Sequence, residues 1–375
     1  MSACLTEIKN IYLACRGFHT KRKLLVIESD DWGSIRMPDK KTFESLKLMG
    51  DCPQDDAFLS NDCLENTSDL EALYRVLTSV HDSKGNPAIV TANFAVANPD
   101  FEKINYSDDI YKYEIFTDTY KRYYPDENVL SVVLNGIKIG CFCPQLHCRE
   151  HLNVNRWLKD LKRGNSYTKM AFENLLIGVG KSFTPDNRFG YMDAFNTDYN
   201  TDEELEKIIR DASSIFCSVF GYASSTFVAS CFVWSDALEQ HLNSVGIKGI
   251  QSASWQNVPM KKNDQNVFKR RMRYSGQKNK MGQIYNVRNC SYEPAYFQNP
   301  DKCADDCFEQ VKRAFSFGKP AVINSHRFNY IGSINPQNSA NNLICLERLL
   351  ERIVKEFPDV EFLSTPQLID LMKRG

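Results

Sequence analysis

No stretch of this sequence comes near the roughly 20 consecutive apolar residues of a membrane-spanning helix. Between Met1 and Lys23 the longest apolar run, Ile11 to Cys15, is too short for a signal-peptide core. The chain also has almost no net charge: 46 lysines and arginines face 47 acids, a formal balance of −1. No global field therefore draws it to nucleic acid or to an anionic membrane. Histidine is scarce, with six residues, so any clustering of histidines carries information. Internal repeats and low-complexity tracts are absent, and so is a paired short-spaced cysteine framework. The 13 cysteines are scattered, and Cys141-x-Cys143 and Cys303-x3-Cys307 do not make a zinc knuckle. These features lead us to expect a cytoplasmic protein without a membrane span, its thiols reduced and mostly acting as small buried hydrophobes.

What is present is alternation. The 375 residues, 42% of them hydrophobic, suffice for one large α/β domain with insertions, expected to span residues 1–375. Short apolar runs at Leu24–Glu28, Ala88–Phe94, Ile137–Cys143, Thr226–Ser230, Gly246–Gln251, Pro320–Asn324 and Val360–Leu363 read as buried strands. Between them lie amphipathic stretches at Val154–Lys162, Asp202–Val219, Asp236–Val245, Asp301–Phe317, Asn341–Phe357 and Pro366–Lys373. Asp202-Glu203-Glu204 puts acids at the positive end of a helix dipole, and Thr365-Pro366 supplies an N-cap and a first-turn proline. Strands alternating with helices predict a parallel sheet with helices outside, and seven or eight such units close into a barrel.

Three segments read as insertions. Residues 51–69 are acidic, 105–124 are rich in tyrosine, and 261–280 are basic. The tyrosines are expected chiefly to pack. The basic segment reads as a solvated loop or as a patch gripping a phosphate.

Three clusters carry chemistry. Asp30-Asp31 follows directly on the first strand, where barrel enzymes place their chemistry, so one carboxylate can hold a cation while the other takes a proton. His147 and His151 stand at i and i+4, a spacing that puts two imidazoles on one face of a helical turn and suits zinc. His326 ends the apolar run Pro320–Asn324, the place for a general acid titrating near neutral pH. One carboxylate and two histidines leave positions open on a metal, as catalytic sites require.

With these clusters in their order, the chain resembles the polysaccharide deacetylase family, the NodB-homology or carbohydrate esterase family 4 group, over roughly Leu24 to Leu371. The resemblance implies a distorted (β/α)7 barrel. It implies that Asp30 is the general base, that Asp31, His147 and His151 hold a divalent metal, and that His326 is the acid. Zinc is the metal expected, with cobalt, nickel or iron(II) also suited to this donor set. Trp32, Arg149, Trp255 and Arg327 are expected at the substrate. The substrate implied is an N- or O-acetylated sugar or glycan precursor, possibly bearing a phosphate. The alternatives are another metal-dependent amide hydrolase, deformylase-like, and a non-catalytic carbohydrate binder. Two departures stand out. Thr226 to Cys231 lacks the arginine that orients the base in the family, leaving Arg36, Arg149 or Arg327 as substitutes. Ser252-Ala253-Ser254-Trp255 keeps the family's tryptophan and lacks its acid.

Overall fold

The computed structural model of the chain describes residues 15–50, 56–180, 189–262 and 265–374. Its strands are β1 (Lys23–Trp32), β2 (Val90–Ala95), β3 (Ala97–Pro99), β4 (Tyr113–Ile115), β5 (Phe142–Cys148), β6 (Thr226–Val228), β7 (Gly249–Ser252), β8 (Trp255–Lys262), β9 (Gln265–Met272), β10 (Ile284–Val287), β11 (Cys290–Ser291), β12 (Ala321–His326) and β13 (Val360–Phe362). The main sheet is parallel and runs β10-β7-β6-β5-β2-β1-β12-β11. β10 and β11 are two parts of one chain segment. Its first part pairs with β7, its second with β12, and Asn289 N–H donates to the Val322 carbonyl at 3.0 Å. The hydrogen-bonded ring thus has seven strand positions, a distorted (β/α)7 barrel. β13 adds to the lower part of β1, Lys23 to Leu25.

Alternation along the strands explains the interior. Leu25 and Ile27 on β1 face the helices, in one cluster with Val90, Phe142, Phe227, Ile250 and Ile323. Leu24 and Val26 meet Ile284, Val322 and the C-terminal helix Thr365–Arg374 through Leu368, Ile369 and Met372, which plugs one end of the barrel. Gly249 permits that plug, because a Cβ there would lie 2.5 Å from Ile369. Further along the same face of β1 come Glu28 and Asp30, so the barrel interior turns polar towards the strands' carboxyl ends.

The strand expectations held at six of seven runs. The seventh, Ile137–Cys143, is corrected: Val129–Lys138 is a helix, and the strand starts at Phe142 and continues through polar residues. The basic segment 261–280 is not simply a loop, since half of it belongs to the strands of the antiparallel hairpin β8–β9. Part of the acidic insertion, 51–55, lies outside the described residues; Ala57–Asn61 beyond it is helical. The tyrosine-rich stretch packs: Tyr111 O–H donates to Glu150 at 3.1 Å, and Tyr120 O–H donates to Glu65. Among the described residues no cysteine forms a disulfide, and no helix is long and apolar enough to cross a membrane.

Candidate metal centre and its flanking acid–base pair

The site begins with a break in β1. Regular alternation would send Asp30 and Asp31 to opposite faces. Instead Asp31 adopts φ 75°, and the register with β2 shifts between Ser29 and Trp32. A left-handed non-glycine residue inside a strand is strained, and such a bulge re-aims side chains. Gly33 follows at φ 76°, where a Cβ would meet the Ala95 carbonyl at 2.6 Å, so the turn out of the bulge requires glycine.

Asp31 thereby meets two histidines. Its Oδ1 lies 3.5 Å from His147 Nε2 and 3.3 Å from His151 Nε2, and one donor atom from each residue lies within 4.8 Å of the others. Two ligands held about 2.1 Å from a tetrahedral ion lie about 3.4 Å apart, so these separations fit a shared cation. His147 Nε2 and His151 Nδ1 are buried with no hydrogen-bond partner, while His147 Nδ1 lies 2.9 Å from the Val228 carbonyl. That contact places the proton on Nδ1 and leaves the Nε2 lone pair for a cation. Burial pushes His151 down to about 3. Burial opposes the charge on Asp31, but His151, His147 and Arg36 outweigh it and hold the carboxyl well below its ordinary range. Imidazole nitrogens without a hydrogen-bond partner beside an ionised carboxylate are the donors a divalent metal needs, and the residues fit one. The expected helical face is corrected: His147 ends strand β5 and His151 lies in the bend after it, and their ring centroids still approach to 4.7 Å.

Asp30 and His326 are register partners on the adjacent strands β1 and β12. Arg288, just past β10, donates from Nη2 to Asp30 Oδ1 and from Nη1 to Oδ2, both at 2.7 Å, and from Nε to Glu28 at 2.6 Å. Asn93 adds a bond to Asp30 Oδ1 at 2.7 Å. Burial works against the Asp30 charge, yet Arg288 overcomes it and holds the carboxyl down at about 2. At His326, burial disfavours the cation. Glu293, 2.6 Å from Nδ1, reverses this and raises the imidazole to about 9. Phe58 stands edge-on to the His326 ring at 5.4 Å.

Arg288 and Glu293 thus hold Asp30 and His326, the residues expected as base and acid, where the sequence motifs lack an arginine and an acid. Neither was singled out in the sequence. Of the substitutes considered there, Arg36 contacts Asp31 at 3.0 Å rather than Asp30. Arg149 is tied to Glu150 and Asp211 and lies 4.5 Å from the Tyr113 ring centroid. Arg327 is 0% exposed and held by Asp62 and Glu65. Trp32 is 1% exposed, packs on Phe142 at 5.0 Å and donates to Ser29. Trp32, Arg149 and Arg327, expected at the substrate, are thus buried and engaged with the core or in ion pairs. Trp255 starts the β8–β9 hairpin, with the Arg270 guanidinium 5.2 Å from its ring centroid.

No protein-family profile and no curated relative matches this chain. Solved structures do. The chain is similar to a putative polysaccharide deacetylase from Mycobacterium smegmatis, at 9% identity and TM-score 0.47, over 96% of this chain and 93% of that one. It is similar to a probable polysaccharide deacetylase from Pseudomonas aeruginosa PAO1, at 9% identity and TM-score 0.47, over 95% and 92%. It is also similar to Puue allantoinase, at 10% identity and TM-score 0.45, over 95% and 93%.

Proposed function

We propose that the protein is a metal-dependent hydrolase that removes an acetyl group from an N- or O-acetylated sugar or glycan precursor. The observation that carries the proposal is the placing of Asp30, held by Arg288, and His326, held by Glu293, as register partners beside the Asp31–His147–His151 donor set. Asp31, His147 and His151 would hold a divalent cation, zinc being best suited to the donors, which would supply a water of lowered pKa and a polarised acyl oxygen.

The chain's own groups supply the rest. Asp30 Oδ1 already accepts two hydrogen bonds, while Oδ2 accepts one from Arg288 and keeps a lone pair free. That lone pair takes the proton of the attacking water as its oxygen bonds to the acyl carbon. His326 has Nδ1 engaged by Glu293, so Nε2 delivers a proton to the leaving nitrogen or oxygen as the C–N or C–O bond breaks. The products are acetate and a free amine or hydroxyl. Arg288 and Glu293 also weigh against a non-catalytic binder, since they provide the orienting groups whose absence from the motifs suggested one.

The test measures metal per chain and acetate release in the wild type and in a His147→Ala, His151→Ala variant. About one metal per chain and acetate release from acetylated sugars, both lost in the variant, are expected. Release from formylated or cyclic amides alone would move the assignment to another C–N hydrolase. A wild type that takes up no zinc, cobalt or nickel would overturn the hydrolase reading.

A further inference from the structure

Where the chain leaves β7 and joins β12, at Arg288 and Asn289, the barrel wall opens on a cleft of about 710 Å³. That is the size of a small-molecule pocket. Among the described residues no acidic one lines it, while Arg16, Arg273, Arg288, Arg313 and Lys319 do. The charge on Arg288 is met by Asp30 and Glu28. Arg273 lies 3.6 Å from Glu239, whereas Lys319 and Arg313 are not met in this way. Lys319 is 7% exposed, and its ammonium donates only to the carbonyls of Arg16 and Phe18. Arg313 is exposed and has no carboxylate partner among the described residues.

A buried ammonium without a counter-ion is costly and favours an anion beside it. The end of the helix Pro300–Ser316 would oppose that anion through its dipole. Its last carbonyls, however, are already capped by the N–H groups of Phe317, Gly318 and Lys319. Three aromatic rings, Phe232, Tyr274 and Phe317, also line the cleft; Phe232 lies under Arg288, and Phe317 is 39% exposed. The basic hairpin is not the better candidate. Arg271 pairs with Asp236, Arg270 lies over Trp255, and Arg273 is held by Gln256 and Tyr285.

We propose that this cleft binds a phosphate ester, its phosphate or diphosphate between Arg313 and Lys319 and its ring against Tyr274 and Phe317. The site is separate from the metal centre, and the proposal does not depend on the hydrolase reading. Arg288 and Asn324 form the wall between the two, since Arg288 Nη1 donates both to Asp30 and to the Asn324 side chain.

Calorimetry on the full chain after chelator treatment tests it, with inorganic pyrophosphate and a nucleoside diphosphate as probes. The nucleoside diphosphate should bind more tightly than pyrophosphate. Arg313→Ala, at an exposed side chain, should weaken both about tenfold or more, the effect of one charge-assisted hydrogen bond. Phe317→Ala should weaken only the nucleoside diphosphate. The His147→Ala, His151→Ala variant should bind both probes as the wild type does. Equal affinities for the two probes would overturn the ring contact. No binding, binding indifferent to Arg313, or binding lost with the two histidines would overturn the site.

Discussion

Arg288 holds both carboxylate oxygens of Asp30, each at 2.7 Å, and reaches Glu28 with its remaining edge. One guanidinium thus keeps two buried carboxyls in place below the metal centre. Burial alone pushes Glu28 upward, and Asp30 stays near 2 only because the guanidinium is there. Arg288→Met should destabilise the fold by about 3–5 kcal/mol at neutral pH, since it leaves buried carboxyls unpaired. The sign of the pH dependence follows from the shift. In the wild type Asp30 titrates lower folded than unfolded, so its contribution of about 2 kcal/mol is present above an unfolded pKa of about 3.9 and fades as pH falls towards 2. In the variant the buried carboxyls titrate high and gain from protonation. Urea unfolding at pH 7 and pH 5 should therefore show a deficit that narrows at the lower pH. A constant deficit would mean that Asp30 is not held by Arg288.

Glu293 should set the protonation of His326. The folded imidazole titrates at about 9 against about 6.5 unfolded, so its contribution to stability is complete below about pH 6.5 and is lost as pH rises through 9. Glu293→Gln removes the acceptor charge and should move the His326 titration down by more than one unit. NMR of the imidazole nitrogens reads this directly. If His326 is the acid, the alkaline limb of the rate profile should fall with it. An unmoved titration would assign the raised value to Asp30 and Asp31 instead.

The difference between what was and was not legible lies in how a barrel interior reads in sequence. β1 and β12 announce themselves because their lower halves are apolar, and Asp30 and His326, towards their carboxyl ends, are chemically conspicuous. β10 is four residues long and carries Asn286 inside it, because its inward positions face the polar upper barrel. An apolar-run criterion passes over such a strand, and Arg288 at its end was lost with it. Glu293 stands 33 residues before His326 and meets it only through the β11–β12 pairing. The two histidines were found through spacing alone. The helical face inferred from that spacing does not exist, and a strand end followed by a bend brings the rings together instead.

Arg36 touches Asp31 Oδ2 at 3.0 Å and Asp62 at 3.4 Å, leaving Oδ1 towards the histidines. We propose that it is a positioning residue for the candidate metal centre. Arg36→Ala should lower metal affinity about 10–100-fold, as loss of a partner that orients a ligand does, while the metal count at saturation stays the same. Competition with a chromophoric chelator measures this. Unchanged affinity would mean that the backbone bulge alone aims Asp31.

Gly33→Ala should cost about 1–3 kcal/mol, because φ 76° strains any L residue and the new Cβ would crowd the Ala95 carbonyl. The effect should reach the metal centre as well, since Gly33 N–H is fixed by Glu65 at 2.9 Å two residues from Asp31. Thermal unfolding with and without added zinc would show it as a lower midpoint and a smaller zinc-induced rise. A variant as stable and as metal-responsive as the wild type would remove the turn from the account of how Asp31 is placed.

Arg327 was expected at the substrate, and its surroundings lead us to propose a structural role instead. Its Nε and Nη2 donate to Asp62 at 3.0 and 2.7 Å, and its Nη1 donates to Glu65 at 2.6 Å and to the Ser34 carbonyl at 2.8 Å. All three side chains are fully buried. Removing the cation leaves two buried carboxylates against each other, at a cost of about 3–5 kcal/mol. Asp62 also receives Arg36, so the loss loosens the support behind Asp31. Arg327→Met should therefore lower the urea midpoint sharply and weaken metal binding, with KM for substrate unchanged in the protein that remains folded and metal-loaded. A raised KM in a variant of normal stability would return Arg327 to the substrate.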